Sequence, residues 1–156
     1  MQQTLEFQYD LIKSARSVLL DYCETMSEED FLSENSTFGT GSVRNLLVHN
    51  ANTYLGWLGI RALNREQEFI RYDSIRNMAQ VRRLYENIDL IVADFIAAFS
   101  ADYTSALQLD VRGDKLSASP FKLFTHVITH EFHHKGQILS LSRHLGYTPV
   151  DTDVMR

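Results

Sequence analysis

The sequence predicts an all-α fold, a four-helix bundle, and three observations support this prediction. Four long segments carry apolar residues at the helical spacings of three and four. Residues typical of helix caps and turns separate these segments. The chain has 156 residues, of which 44% are hydrophobic and 22% charged, so it is globular in composition and long enough for one substantial core. We therefore expect one domain over residues 1–156, without a linker or an internal repeat.

The first predicted helix runs from about residue 5 to residue 26 and has an inward apolar stripe: Leu11, Ile12, Ala15, Val18, Leu19 and Tyr22. Residues 27–30 then indicate a single turn capped by serine. A loop rich in Ser, Asn and Gly is expected over residues 33–41. Ser42 is a suitable N-cap for the second helix, which is predicted over residues 43–62.

The third predicted helix opens at Asp73-Ser74 and continues to Phe99. Its inward stripe consists of apolar residues at helical spacing: Ile75, Met78, Val81, Leu84, Ile88, Val92, Phe95 and Phe99. Residues 106–116 alternate between apolar and polar types and contain the turn sequence Arg-Gly-Asp. This pattern predicts a short hairpin between the third and fourth helices.

The fourth predicted helix has the clearest boundaries. Ser119-Pro120 marks its start, because serine caps a helix and proline suits the first helical position. We expect it to run to Leu145, where Gly146 and Pro149 end it. Four amphipathic helices with these connections are typical of a four-helix bundle.

Charge and composition exclude several classes of function. The net charge of −5, with no Lys/Arg cluster along the sequence, argues against nucleic acid as a partner. No window approaches 18 apolar residues, and the start lacks the pattern of a secretory signal, so we expect no membrane span and a cytoplasmic protein. The single Cys23 cannot form an internal disulfide, and its place on an apolar stripe indicates a packing role.

The histidines are concentrated on the fourth predicted helix. Of six in the chain, four lie between His126 and His134. Because a helix turns about 100° per residue, His130 and His134 project from one face about 40° apart and one turn from each other. Two imidazoles in this arrangement can bind one transition-metal ion.

The inward ridge of the fourth helix is apolar at both ends and polar in the middle: Leu123, His126, Val127, His130, His134, Gln137, Ile138, Leu141 and Leu145. Imidazoles buried together are costly unless each finds a hydrogen bond or a metal. His49 lies on a comparable ridge of the second helix, with Leu46, Thr53 and Ile60. We therefore predict a mononuclear site formed by His49, His130 and His134, since catalytic zinc sites commonly use three protein ligands. Nickel, iron or manganese can use similar donors.

Neighbouring polar residues leave alternatives open. His126 is a candidate fourth ligand, hydrogen-bond partner of a ligand, or substrate contact, whereas His133 is expected near the surface. Glu131 is a candidate catalytic base beside the metal, although an i,i+4 pair with Lys135 explains it equally well. His144 falls in the last turn, where a cation suits the helix dipole.

Aromatic side chains that can line a pocket beside the metal are Phe38, Tyr54 and Trp57, although packing between helices is the preferred interpretation for most of them. The substrate itself is not indicated by any motif.

Two better-known metal sites do not fit the sequence. Residues 130–134 match H-E-x-x-H, the zinc-protease helix, but Gln137 and Ser140 stand where its extended form needs Gly and His. No glutamate follows Glu131 to serve as the third ligand of the other form. A di-iron bundle needs two Glu-x-x-His pairs, and the chain has one.

Two stretches resemble motifs of the DinB superfamily. Residues 42–49, with the sequence SVRNLLVH and Trp57 downstream, resemble its second-helix motif. Residues 126–138, HVITHEFHHKGQI, are similar to its last-helix signature. The number and order of helices also fit, so the resemblance spans most of the chain. Lys135 stands where the family usually has arginine, which keeps the charge but loses planar bidentate bonding.

The resemblance implies a bundle of the DinB/YfiT-like type, often a homodimer, with one divalent metal held by His49, His130 and His134. Its relatives include transferases that use bacillithiol or mycothiol, a thiol-dependent isomerase and proposed metal-dependent hydrolases. The resulting hypothesis is a metal-dependent enzyme acting on a small molecule, by thiol-dependent S-transferase-like or hydrolase chemistry. In the transferase version the open position accepts a thiolate that attacks an electrophile, and in the hydrolase version water takes that position, with Glu131 or His126 as the proton acceptor. The alternative is a non-catalytic metal-binding or dimerising protein of the same superfamily.

Overall fold

The described part of the chain folds into five α-helices and a small antiparallel sheet. The computed structural model describes residues 1–38 and 41–156, and for Ser36 the backbone alone. In the described residues the elements are α1 (Gln2–Cys23), α2 (Glu28–Leu32), α3 (Val43–Tyr54), α4 (Met78–Ala98), β1 (Leu107–Val111), β2 (Asp114–Ala118) and α5 (Pro120–His144). The structure is thus mostly helical with a two-stranded antiparallel sheet, so the all-α class is confirmed in its helical part and the sheet lies where the short hairpin was expected.

Three helices begin where the sequence predicted. The hydroxyl oxygen of each predicted N-cap serine accepts a hydrogen bond from the backbone N–H three residues further on, and these serines are Ser27, Ser42 and Ser119. Each cap satisfies one of the N–H groups that a helix leaves unpaired at its start. At the other end of α5, Gly146 adopts a φ of +91°, a conformation that glycine reaches without steric cost.

The predicted start of the third helix is wrong. Asp73-Ser74 belongs to a short 3₁₀ turn, Tyr72–Ser74, and Ile75 after it is extended, with φ −105° and ψ 117°. The helix α4 begins at Met78 instead, because the side-chain oxygen of Asn77 accepts the backbone N–H of Gln80 at 3.0 Å. Two capping signals lie close together in the sequence, and the second one caps the long helix.

The second predicted helix covers its expected range but changes its winding. After α3 the chain continues as a π-helix over Leu55–Ala62. π-Helical turns are rare in proteins, and many of the known ones lie at functional sites. The loop that was predicted over residues 33–41 contains a 3₁₀ turn, Ser36–Phe38. Residues 39 and 40 of that prediction lie outside the described residues.

The core lies between the apolar faces of the four long helices. Helix α3 packs against α4 and α5, and α1 packs against the same two helices. The predicted hairpin is confirmed: β1 and β2 pair antiparallel, with Leu109 opposite Leu116, and β1 packs on the π-helical segment. Most of the predicted apolar stripe of α1 is buried, but Val18 is partly exposed and Leu11 is exposed. The charged Arg16, by contrast, is buried, at 4% exposure.

Among the described residues, no helix combines the length and apolarity needed to cross a lipid bilayer.

Cys23 gives a first prediction. Its side chain is 1% exposed, and burial raises the pKa of its thiol to about 12 from an ordinary value of 9.0. Because the thiolate is the reactive form, we expect the native thiol to react with a disulfide reagent at neutral pH roughly a thousand times more slowly than in denaturant. The denatured protein is the control, and rapid stoichiometric labelling of the native protein would contradict the packing role.

Candidate metal centre

Three imidazoles from two helices converge at one point. His49 lies on α3, and His130 and His134 lie one turn apart on α5. The Nε2 atoms of His49 and His130 are 3.1 Å apart, and one nitrogen from each of the three rings lies within 4.8 Å of the others. The two helices pack against each other, so contacts in the core bring together histidines that are 81 residues apart in the chain.

His134 is oriented by a neighbour on its own helix. Its Nδ1 lies 2.6 Å from Oε1 of Gln137. Because a carbonyl oxygen only accepts, Nδ1 carries the proton in this hydrogen bond and Nε2 keeps a free lone pair. Such hydrogen bonds to the distal nitrogen fix the ring and tautomer of metal-binding histidines. Gln137 follows His134 by three residues on the same helical ridge, and this spacing predicts the contact from the sequence.

The local environment keeps the imidazoles neutral. Burial lowers the pKa of His49 and of His134, and burial together with the neighbouring imidazoles lowers the pKa of His130 to about 4. Neutral imidazole is the form that binds metal. At neutral pH the cluster therefore offers lone pairs rather than positive charge.

The donor set fits a single transition-metal ion. Zinc–nitrogen bonds of about 2.0–2.1 Å place two ligand nitrogens about 3.3 Å apart in a tetrahedron, close to the 3.1 Å between His49 and His130. In the described part of the chain, the group holds three histidines and no cysteine or carboxylate. A tetrahedral ion held by these residues would keep one position for an external molecule.

Glu131 lies in a buried network with other polar side chains. Arg16 donates from Nε and Nη2 to the two carboxylate oxygens at 2.8 and 3.0 Å, and the hydroxyl of Tyr54 donates to Oε2 at 2.5 Å. Burial raises the pKa of Tyr54, so its phenol stays a donor. Glu131 is 4% exposed. Its partner is thus Arg16 rather than Lys135, whose Nζ donates to the carbonyl of Thr152 at 2.5 Å.

The network continues through Arg16 to α4. Arg16 donates from Nη1 to Asp89 at 2.7 Å and from Nη2 to the hydroxyl of Tyr9 at 3.0 Å, and that hydroxyl donates to Asp89 at 2.7 Å. Sequence reasoning missed this role of Arg16. The sequence does indicate that Arg16 is buried, because it lies four residues after Ile12 and three before Leu19 on the buried stripe of α1.

The remaining histidines lie outside the three-imidazole cluster. His126 is exposed, with its ring centroid 5.4 Å from that of Trp57 and 5.6 Å from that of His130. His133 is exposed, as predicted. His144 lies in the last turn of α5, also as predicted, and its ring contacts Phe38.

A cleft of about 610 Å³ opens beside the cluster, with His49 in its wall. Its other walls include Trp57, Phe69 and three arginines, Arg61, Arg71 and Arg112. Of the three aromatic candidates from the sequence, Trp57 lines this cleft. Tyr54 is instead buried against Glu131, and Phe38 packs on His144.

The fold and these side chains define a class of protein: a mostly helical chain with a candidate three-histidine metal centre beside an open cleft. The DinB family matches residues 1–156, the whole length of the chain. The chain therefore belongs to the DinB family. A comparison with curated proteins gave no match.

The buried ion pair gives a second prediction. Replacing Glu131 by Ala leaves the Arg16 guanidinium buried without its main partner, so we expect the free energy of unfolding to fall by about 3–5 kcal/mol. Chemical denaturation measures this loss. Glu66→Ala, at an exposed loop position, is the matched control and should change stability by less than about 0.5 kcal/mol.

A double variant separates loss of the pair from loss of side-chain volume. Arg16→Met with Glu131→Leu removes both charges, and we expect it to be more stable than Glu131→Ala alone. A Glu131→Ala protein as stable as the wild type would show that the ion pair does not hold α1 against α5.

Proposed function

We propose that this protein is a metal-dependent enzyme that acts on a small molecule at a mononuclear site formed by His49, His130 and His134. The observation that carries the proposal is the convergence of three neutral imidazoles, two of them with facing nitrogens 3.1 Å apart. Membership of the DinB family supports it. We propose one divalent ion, zinc or nickel, with iron or manganese as further candidates.

When bound, a divalent ion supplies Lewis acidity that lowers the pKa of a thiol or a water molecule. The protein contributes the orientation of the donors. Gln137 holds the ring of His134, and the packing of α3 on α5 brings His49 to the other two imidazoles. The cleft beside His49 gives a small molecule access to the same point.

We propose S-transferase-like chemistry with a low-molecular-weight thiol, or hydrolysis with water as the nucleophile. In the transfer, the thiol loses its proton to a base, its sulfur forms a bond to an electrophilic carbon, and the leaving group departs with the electron pair. His126 is the better placed of the two predicted proton acceptors. It is exposed, and its ring lies 5.4 Å from the ring of Trp57, a residue that lines the cleft, whereas Arg16 and Tyr54 hold the carboxylate of Glu131.

We propose a single domain in which α1, α3, α4 and α5 form a four-helix bundle of the DinB/YfiT-like type. We further propose a homodimer in the cytoplasm, with a small-molecule substrate and without a nucleic acid or membrane partner. The acidic net charge of −5 supports the exclusion of nucleic acid.

The metal site gives a third prediction. We expect about one equivalent of divalent metal per chain in freshly purified protein, measured by elemental analysis, and a higher melting temperature with metal than without it. His49→Ala and His130→Ala should lose both the metal and the thermal shift. His133→Ala, an exposed histidine on the same helix, should keep both. Unchanged metal content in His49→Ala would refute the site.

The chemistry gives a fourth prediction. Cobalt-substituted protein should show a sulfur-to-metal charge-transfer band when a thiol that binds the ion is added, and the band should be absent from His49→Ala. Turnover is then measured with several low-molecular-weight thiols and test electrophiles, and His126→Ala should lower its rate by about 10²-fold or more. A protein that binds metal but gives neither band nor turnover would be a non-catalytic metal-binding protein, contrary to the proposal.

A further inference from the structure

The cleft beside His49 carries positive charge in an acidic protein. Three arginines line it, and none of its lining residues in the described part of the chain is Asp or Glu. The chain as a whole has a net charge of −5. A concave surface with charge of one sign concentrates ligands of the opposite sign. The arginines Arg61, Arg71 and Arg112 therefore indicate an anionic ligand.

Arg61 is held in place and keeps free hydrogen-bond donors. Its Nη1 donates to the carbonyl of Gly56 at 2.8 Å, and its guanidinium carbon lies 4.9 Å from the centroid of the Trp57 ring. A Cβ atom at position 56 would lie 2.8 Å from Nη1 and 2.9 Å from Phe69, so glycine is needed for this approach. The Nε of Arg61 is buried without a hydrogen-bond partner. A donor group left unpaired in this way points to an acceptor that the protein itself does not provide.

Arg112 occupies a strained backbone position at the edge of the same cleft. It is the first residue of the two-residue turn between β1 and β2, with a φ of +58°, and Gly113 follows with a φ of +92°. Turns of this shape favour Asn-Gly, because asparagine tolerates the left-handed conformation better than arginine does. Backbone strain of this kind clusters at functional sites. The turn does not favour arginine at position 112, so the presence of arginine there is better explained by a binding role of its side chain.

The other charges near the cleft are partly satisfied within the protein. Arg71 forms an exposed ion pair with Asp73 at 2.8 Å, so it has fewer donors left than Arg61. Hydrogen bonds from the backbone N–H of Gly113 and from Lys115 at 3.2 Å lower the pKa of Asp110, and Arg61 is close enough to add a smaller effect. Arg61 and Arg112 therefore carry the inference.

We propose that this cleft binds a small molecule with an oxyanion group, a carboxylate or a phosphate, through Arg61 and Arg112. Its apolar part would lie against Trp57 and Phe69. Because His49 is in the wall of the same cleft, a molecule anchored at the arginines presents its other end to the three-histidine cluster. This last step rests on the proposed metal-dependent function, whereas binding of the anion does not. The substrate class is thus an anionic small molecule.

Binding to the metal-free protein tests the anion site by itself. Calorimetric titrations use succinate, inorganic phosphate and uncharged succinamide as probes, without metal, so that no probe can bind an ion directly. We expect wild-type protein to bind succinate or phosphate but not succinamide, and the stronger of the two anions identifies the oxyanion. Binding of neither anion, or equal binding of succinamide, would overturn the proposal.

Variants locate the site. Arg61→Met and Arg112→Asn should each weaken binding of the preferred anion by about tenfold or more, because each removes a charge-assisted contact. Arg112→Asn also suits the turn, so its melting temperature should be unchanged or higher, and weaker binding cannot then be ascribed to unfolding. The control Arg143→Gln, on the exposed last turn of α5, should bind as the wild type does. Equal affinity in all four proteins would overturn the assignment.

Two further measurements separate this inference from the proposed function. Metal-free His130→Ala, which removes a proposed metal ligand that does not line the cleft, should still bind the anion, which supports a site independent of the metal, and loss of binding would contradict it. In cobalt-loaded protein, mercaptosuccinate should give the charge-transfer band at a lower concentration than 2-mercaptoethanol does, and Arg112→Asn should remove this advantage. Equal concentrations for the two thiols in the wild type would overturn the placement of the anion toward the histidines, even if metal binding and succinate binding both hold.

Discussion

A buried ion pair between α1 and α5 fixes the helix that carries two of the three candidate ligands. Arg16 and Glu131 share two hydrogen bonds in a core where both are about 4% exposed. Either charge would be costly there without the other, because each has left water and the ion pair is its main compensation. Helical geometry places His130 about 100° around the axis from Glu131. The contact that seats Glu131 in the core therefore also sets the direction in which His130 projects.

Further hydrogen bonds connect this ion pair to the other long helices. Asp89 of α4 and Tyr9 of α1 bind the same guanidinium, and Tyr54 at the end of α3 binds the same carboxylate as Arg16. All four long helices thus meet at one polar centre with fixed hydrogen-bond directions, which apolar packing alone does not provide. Because His49 lies on α3 and its partners lie on α5, this centre lies between the two elements whose relative position the three imidazoles require.

The sequence predicted what depends on local chemistry and missed what depends on distant partners. Serine caps, the hairpin and the pair His130 and His134 follow from local spacing, so they were predictable. His49 lies 81 residues before His130, and it was grouped with this pair because a metal site needs a third ligand and His49 lies on a comparable helical ridge. The predicted start of α4 was wrong because Asp73-Ser74 and Asn77 are equivalent local signals for a helix N-cap, and only packing distinguishes them. The π-helical winding after Tyr54 has no periodic signature of its own. The ion pair was missed because its two residues are 115 positions apart.

The positive charge of the cleft also depends on residues that are distant in the sequence. Arg61, Arg71 and Arg112 are well separated along the chain, so no basic cluster appears in the sequence, and the fold brings them together beside His49. The result is two adjacent regions of different electrostatic character. The imidazole cluster is neutral because burial suppresses protonation, and the cleft is cationic because its arginines cannot lose their protons. A divalent ion suits the first region and an oxyanion the second. A single molecule with an anionic group at one end and a nucleophilic sulfur or oxygen at the other would complement both, and the geometry therefore favours a substrate whose two ends are chemically different.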